Sequence, residues 1–307
     1  MADQIDVDAV AVDIDSVRKS HELWLREHAQ GKRADFSGLT LNDSDFRPGP
    51  WDRASFDGAS IIDSNLSGCS IVGASMLQVR LERSTLTGAD LSEANLVQGH
   101  FDFMFATGLM LCEATLTRAS FKDAKLDQAR LLDAIADDSD FTRASLVGAG
   151  LNHARFARAI FLDAVADRSN WLNVRMPNAR FIGASLTEAQ FVGVFGPSCD
   201  FTKADLSLSM FARARLSRSN FYQANMFGAD FRDADLENAD FTKARMLEAR
   251  FRGANLTSAD FRGANLEGAR DLTAEQLGRA RTDDRTTLPN GKKGPYLRFS
   301  GAERPAR

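Results

Sequence analysis

The chain has 307 residues, 44% hydrophobic and 26% charged, so it can bury a substantial core. Its 42 acidic and 38 basic side chains nearly cancel, which excludes a uniformly basic or acidic surface and leaves charge to act locally. The three cysteines, Cys69, Cys112 and Cys199, have no CxxC spacing. They are therefore expected to be small, reduced and buried, with no disulfide or zinc framework.

The N-terminal 33 residues are predicted to form a separate segment with a capping helix. Alternation of apolar and acidic residues suggests a short strand within residues 1–14. Residues 16–30 then place one apolar stripe along a helix that should cover the element that follows, with Gly31 as its C-cap. The stripe consists of Val17, His21, Trp24, Leu25 and His28.

No secretory signal pattern and no apolar run of membrane-spanning length occur in the sequence. We therefore expect a cytoplasmic protein, although secretion without a cleaved signal stays open.

From Phe36 to Leu266 every fifth residue is large and apolar, in a register that never slips over 47 pentads. We call these residues the centres. Two residues before each centre stands a second column, nearly always Ala, Ser, Gly or Cys. The exceptions among the centres are Ala106, Ala136, Ala166 and Gly196.

A period of five fits neither an α-helix nor a β-strand, so the chain must turn once in each pentad. Four short extended sides then make a square coil, with the centre and the small residue inside and the other three residues outside. The sequence thus predicts an all-β solenoid over residues 34–269, of nearly twelve coils and roughly 55 Å in length. The expected core includes Phe36, Phe46, Phe56, Phe141, Phe181, Phe201, Phe221, Phe241 and Phe261.

Stretches such as Ala94-Asn95-Leu96 and Ala264-Asn265-Leu266 match the pattern A(D/N)LXX as it stands. The chain therefore resembles the pentapeptide-repeat protein family over about three-quarters of its length. This resemblance implies a right-handed quadrilateral β-helix. It also implies that a terminal segment can form a homodimer, as in several family members.

The four small centres recur every thirty residues, and a large apolar residue precedes each one. One hypothesis is that this preceding side chain turns inward to fill the gap. The alternatives are degeneration of the repeat and an inherited thirty-residue duplication. The preceding residues are Phe105, Ile135, Val165 and Phe195.

Residues 270–307 are predicted to close the rod. Thr273 and Gln276 have the spacing of a capping box, and Leu272 and Leu277 can cover the last coil. Residues 292–307 are basic and rich in helix breakers, so we expect a mobile tail.

The sequence offers no catalytic constellation. An unbroken five-residue register leaves no insertion in which a nucleophile, a base and an oxyanion site could converge. The histidines do not have metal-ligand spacing, and no glycine-rich phosphate loop follows a strand. We therefore expect no enzymatic activity, no cofactor and no metal.

Assigning the pentads cyclically to four faces places one basic strip on the outside of the rod. It consists of Arg155, Arg175 and Arg215 before the centre, with Arg118, Arg158 and Arg218 two residues after it. These arginines either pair with acidic neighbours such as Asp235 and Glu237, or dock an acidic partner or a phosphate.

Two other faces carry outward apolar residues, which either satisfy β-propensity or form a contact surface. The face adjoining the strip has Ile160, Leu162, Ile182 and Tyr222, and the face opposite that one has Leu132, Leu172 and Val192.

Two functions are consistent with these features. The first is a non-enzymatic scaffold or adaptor, including a delivered effector, that presents side-chain ladders on a rigid rod to protein partners. The second comes from the resemblance, since one family branch mimics duplex DNA, binds DNA gyrase or topoisomerase IV and protects it from quinolone-type poisons. That branch needs a predominantly negative rod, whereas basic and acidic residues are mixed here. Direct nucleic-acid binding is not expected because outward aromatic residues are few.

Overall fold

The computed structural model describes residues 12–298 and 300–305, so most of the strand predicted within residues 1–14 lies outside the described residues. The chain forms a right-handed quadrilateral β-helix between two short helices, α1 (Ile14–Leu25) and α2 (Ala274–Arg279). Neither helix is long and apolar enough to cross a membrane, nor is there another such helix within the described ranges.

A parallel bridge joins the residue before each centre to the residue twenty positions later, from Asp35 with Ser55 to Arg250 with Arg270. Each side of the coil is so short that the ladder contains one bridge residue per side. The centre donates its N–H to the coil above or below, as Phe56 does to the Ser75 carbonyl at 2.7 Å. The predicted register is therefore confirmed over the whole repeat.

Nearly every corner of the coil is a β-turn, and the corner at residues 46–49, which contains Pro48, is an exception. The centre's carbonyl accepts from the N–H three residues on, as between Trp51 and Ala54 at 3.0 Å. The second residue after the centre adopts a left-handed conformation with φ near +60°, whether it is Gly58 or Phe103. Glycine is frequent there because it reaches this conformation without a steric penalty.

The first residue after the centre points its N–H outward, and the backbone ladder supplies no acceptor for it. In many pentads an Asp or Asn before the centre accepts this bond, as Asp140 does from the Thr142 N–H at 2.9 Å. In others an Asp after the centre accepts it from the next coil, as Asp57 does from the Leu77 N–H at 2.8 Å. In these pentads the Asp and Asn side chains saturate the rod's own backbone, which accounts for the D/N preference of the repeat.

We name the four faces after their first centres, Phe36, Leu41, Phe46 and Trp51. The Leu41 face stacks nine phenylalanine rings, from Phe101 to Phe261 in steps of twenty residues. Their spacing is 4.9 Å between Phe121 and Phe141. A second aromatic stack occupies the opposite, Trp51 face from residue 171 to residue 251, and the two stacks meet edge to face. All nine phenylalanines predicted for the core are buried.

The structure around the small centres contradicts the hypothesis that the preceding large residue fills the gap. The large residues before them do not turn inward, since Phe105 is 56% exposed and Phe195 is 36% exposed. Both keep their place in the bridge ladder, where their side chains point outward. Neighbouring buried side chains supply the missing volume. Met104 and Leu109 are buried on either side of Ala106 in the chain.

Gly196 shows how tightly such a site is filled. A methyl group added there would approach the Cys199 sulfur to 2.9 Å and the Met176 side chain to 3.1 Å. The interior has no room left for Phe195.

The N-terminal cap also differs from expectation. Helix α1 ends at Leu25, five residues before the predicted end, and His28 lies outside it and is exposed. Gly31 is not the C-cap. It folds back over the helix so closely that a Cβ would lie 2.1 Å from the Trp24 nitrogen, a tertiary contact that the helical pattern does not reveal.

His21 joins the cap to the first coil and is completely buried. Its Nδ1 accepts from the Ala34 N–H at 3.0 Å, so its Nε2–H donates to the Asp52 carbonyl at 3.0 Å. The ring stacks between Trp24 and Trp51. Both ring nitrogens are satisfied only in the neutral imidazole.

At the other end, Thr273 and Gln276 form the predicted capping box, and Leu272 and Leu277 are buried. The Gln276 side chain also donates to two carbonyls of the last coil. Arg281 and Thr287 then extend the bridge ladder by part of a further coil. In the segment predicted to be a mobile tail, Tyr296 bonds to Thr282 and its hydroxyl to Glu303. The mobility itself stays a prediction.

Replacing Phe201 with alanine removes one ring from the middle of the longer stack and leaves a cavity between two neighbours. We expect the free energy of unfolding in urea to fall by about 3–5 kcal/mol. The matched control is Phe103→Ala, at a ring that is 53% exposed, where we expect a change within about 0.5 kcal/mol. Equal effects at the two positions would contradict the stacked core.

The His21 cap is expected to weaken in mild acid. Burial lowers the pKa of His21, and the carbonyl and charge of Asp52 oppose this shift. The stabilising contribution is therefore fully present above the ordinary value of 6.5 and is lost as the pH falls below it, because the unfolded chain binds the proton first.

Urea unfolding followed by tryptophan fluorescence at about pH 7 and about pH 5.5 measures this change, since the ring stacks on two tryptophans. His21→Gln should reduce the pH dependence, and the exposed His28→Gln should keep it. An unchanged pH dependence in His21→Gln would contradict the assignment.

Candidate functional site

A cleft of about 610 Å³ runs along the corner between the Trp51 face and the Phe36 face, across three consecutive coils. The coil geometry builds it, because residues twenty apart stack and the corner brings two faces together. We call it the arginine cleft. Its lining residues are Leu172, Asn173, Arg175, Val192, Gly193, Phe195, Arg213 and Arg215.

The charge of the arginine cleft is not neutralised. Arg175, Arg213 and Arg215 are exposed and form no ion pair with any residue in the described part of the chain. Outward positions of the two faces between residues 170 and 218 contain no Asp or Glu. The Arg175 guanidinium lies 5.4 Å from the centre of the Phe195 ring, a cation–π contact that orients it.

Four of the predicted surface residues meet in this cleft. Arg175 and Arg215 come from the basic strip, and Leu172 and Val192 from the apolar ladder. The sequence had placed these two groups on separate faces, and the structure joins them across one corner.

Two further lining residues were missed as site residues. Arg213 lies in a corner column of the neighbouring face, and Phe195 had been considered only as the large residue before a small centre. Examining the columns on both sides of each corner together could have found them.

Two arginines of the basic strip nearer the N-terminus are paired instead. Arg155 binds Asp137 and Arg158 binds Asp138, each at 2.7 Å. The hydrogen bond from Arg158 lowers the pKa of the Asp138 carboxyl. These two arginines therefore pair with acidic neighbours, as one of the two alternatives predicted. Their partners lie in the preceding coil and are not the acids named from the sequence.

The named acids, Asp235 and Glu237, form no ion pair in the described part of the chain. Asp235 accepts instead from the Asn255 amide and the Glu237 N–H. Arg118 and Arg218 are exposed and lie outside the cleft lining.

The other predicted apolar residues do not join the cleft. Leu132 is exposed two coils away on the Trp51 face. The four on the Leu41 face are half-buried, and Tyr222 packs against Lys243, whose ammonium lies 3.1 Å from its hydroxyl. Three residues in turn positions are more exposed than any of these and were not singled out as site residues. They are Phe103, Leu208 and Phe227.

The cleft lining contains no carboxylate, histidine or cysteine, so it offers groups that bind an anion and none that acts as a nucleophile or base. The cysteines do not change this conclusion. Cys69 and Cys199 are buried as predicted, and burial raises the pKa of the Cys199 thiol to about 12. Cys112 is partly exposed, because it occupies a turn position and not the small column.

Fold and surface together define the molecule as a repeat solenoid with an arginine-lined cleft. Family comparison specifies it further. The family model described as a pentapeptide repeat region matches residues 197–270, and that of pentapeptide repeats in eight copies matches residues 64–102. The chain belongs to the pentapeptide-repeat protein family. Comparison with curated proteins gives no significant match.

Two solved structures, one of them a pentapeptide repeat protein, are similar at low identity. HetL, involved in heterocyst differentiation regulation in the cyanobacterium Nostoc sp. strain PCC 7120, is 23% identical, with 88% of this chain and 97% of HetL covered and a TM-score of 0.37. Full-length QnrB1, a plasmid-mediated fluoroquinolone resistance protein, is 17% identical, with coverages of 82% and 94% and a TM-score of 0.21.

Proposed function

We propose that this protein is a non-enzymatic interaction scaffold whose arginine cleft docks an acidic segment of a protein partner. The observation that carries the proposal is the group of three guanidinium groups without an acidic neighbour. Elsewhere on the rod, Arg83, Arg143 and Arg158 each form a bidentate bond with an Asp one coil away.

The lining of the cleft suits a peptide better than a free ion. Leu172 and Val192 provide an apolar floor beside the arginines, and Phe195 adds a ring at the edge. Guanidinium groups bind carboxylates in a planar, two-point geometry, which gives orientation as well as affinity. An extended acidic segment with apolar residues between its acids would use both parts.

The rod favours a scaffold because its coils cannot move independently. Adjacent coils share backbone bonds on all four sides and stacked rings inside. A partner therefore meets side chains at fixed spacing, and little conformational entropy is lost on the scaffold's side.

The competing hypothesis is the DNA mimic that acts on gyrase or topoisomerase IV. Such a protein must present negative charge along the rod to occupy a cleft built for phosphates. An unneutralised basic cleft in the middle of the rod opposes that role.

The proposal is tested with a fluorescein-labelled acidic peptide of alternating Glu and Leu, measured by fluorescence anisotropy. The triple variant Arg175→Glu, Arg213→Glu, Arg215→Glu should bind at least about tenfold more weakly, because it replaces attraction with repulsion. Binding to the wild type should also weaken as salt rises.

The matched control is the double variant Arg250→Glu, Arg252→Glu, which lies on the Trp51 face beyond the cleft. Its affinity for the peptide should stay within about twofold of that of the wild type. Equal affinities for wild type and triple variant would overturn the proposal. A supercoiling assay forms a separate arm, and inhibition of gyrase that survives the triple variant would favour the DNA mimic.

A further inference from the structure

The carboxylates that saturate the outward N–H groups follow one geometric rule on all four faces. The acceptor stands either two residues before the donor or twenty residues before it. On the Trp51 face, Asp52 accepts from the Val72 N–H at 2.9 Å and from the Ser70 hydroxyl at 2.5 Å. Asn42 fills the same role on the Leu41 face, accepting from the Ile62 N–H at 2.9 Å.

Many outward N–H groups in the described part of the chain have no acceptor at either position, as at Asn152 on the Trp51 face, and two more lie in or beside the arginine cleft. For the Val192 N–H the two acceptor positions hold Gln190 and Leu172, and for the Ala212 N–H they hold Met210 and Val192. Neither N–H has an acceptor among the residues that the structure describes. What distinguishes Val192 is that its N–H without an acceptor lies in the same cleft as the unpaired arginines.

We infer that a carboxylate of the partner takes the place of the missing rod carboxylate, accepting from the Val192 N–H while the guanidinium groups of the cleft hold its charge. This inference rests on the proposed function and specifies how the acidic segment is recognised. It assigns the Val192 backbone N–H, which no side-chain substitution removes, as a binding group.

The rod itself supplies the precedent for this arrangement. Asp57 receives the Leu77 N–H at 2.8 Å together with the Ser75 hydroxyl at 2.6 Å, so one carboxylate oxygen is held by a backbone and a side-chain donor. In the cleft the side-chain donor is a guanidinium, which forms stronger bonds with a carboxylate than a neutral hydroxyl does. A carboxylate bound in this way fixes the position of the peptide along the rod.

The decisive variant is Leu172→Asn, which restores an acceptor twenty residues before Val192 without adding charge, as Asn42 does for Ile62. It should occupy the Val192 N–H and weaken binding of the Glu–Leu peptide about tenfold, which corresponds to about 1.4 kcal/mol. Leu172→Ala removes the same apolar contact but supplies no acceptor, so it should bind about tenfold more tightly than Leu172→Asn.

Leu132→Asn is the control outside the cleft. The new amide stands twenty residues before Asn152 on the Trp51 face. Neither Leu132 nor Gly150 now supplies an acceptor for the Asn152 N–H. Leu132→Asn should leave peptide affinity unchanged. In the free proteins, the amide resonance of Val192 should shift in Leu172→Asn and not in Leu172→Ala, which verifies that the acceptor is occupied.

Peptide addition to the wild type should shift the Val192 amide proton downfield, and a peptide with Gln in place of Glu should not. Equal affinities for Leu172→Asn and Leu172→Ala, with Val192 occupied in the former, would overturn the inference. If the arginine triple variant still lost binding in that case, the proposed function would stand. If that variant also bound normally, the proposed function would fall with it.

Discussion

The parallel bridge between residues twenty positions apart is the constraint on which the rest of this structure depends. It places chemically similar residues directly above one another, so each column of the sequence becomes one continuous environment. Inside, the columns of the Leu41 and Trp51 faces become two stacks of aromatic rings that touch edge to face. The stacked and edge-to-face geometries add attraction beyond the burial of apolar area.

The same constraint leaves one backbone N–H unpaired in every pentad, since the ladder and the turn use the others. A buried or crowded N–H without a partner is unfavourable, and the rod fills it with Asp and Asn oxygens. This requirement explains why acids are abundant on a surface whose total charge is nearly balanced. Where no rod acceptor is present, as at Val192 and Asn152, the N–H can receive an acceptor from outside, and a count of charges cannot locate such places.

Features governed by spacing along the chain could be predicted from the sequence. The centres, the small column and the corner glycines depend only on the period of five, and the α2 capping box depends on two residues three positions apart. The end of α1 could not be predicted, because Gly31 packs on the backbone of Trp24 through a chain reversal. The ion-pair partners of Arg155 and Arg158 were missed for a related reason. The coil offers acids both above and below, and the pattern does not say which one a side chain reaches.

The arginine cleft combines both kinds of information. Its vertical columns follow from the period, but its two sides belong to different faces, so their proximity emerges only when the corner is built. Phe195 illustrates the connection between core and surface. Met176 and Cys199 fill the space around Gly196, and the bridge position directs the ring outward. The small centre Gly196 thus directly follows the ring that lies beneath the Arg175 guanidinium. A larger centre at this position would collide with Met176 and Cys199. A departure from the repeat inside the rod and the arginine cleft outside it therefore occur at adjacent residues.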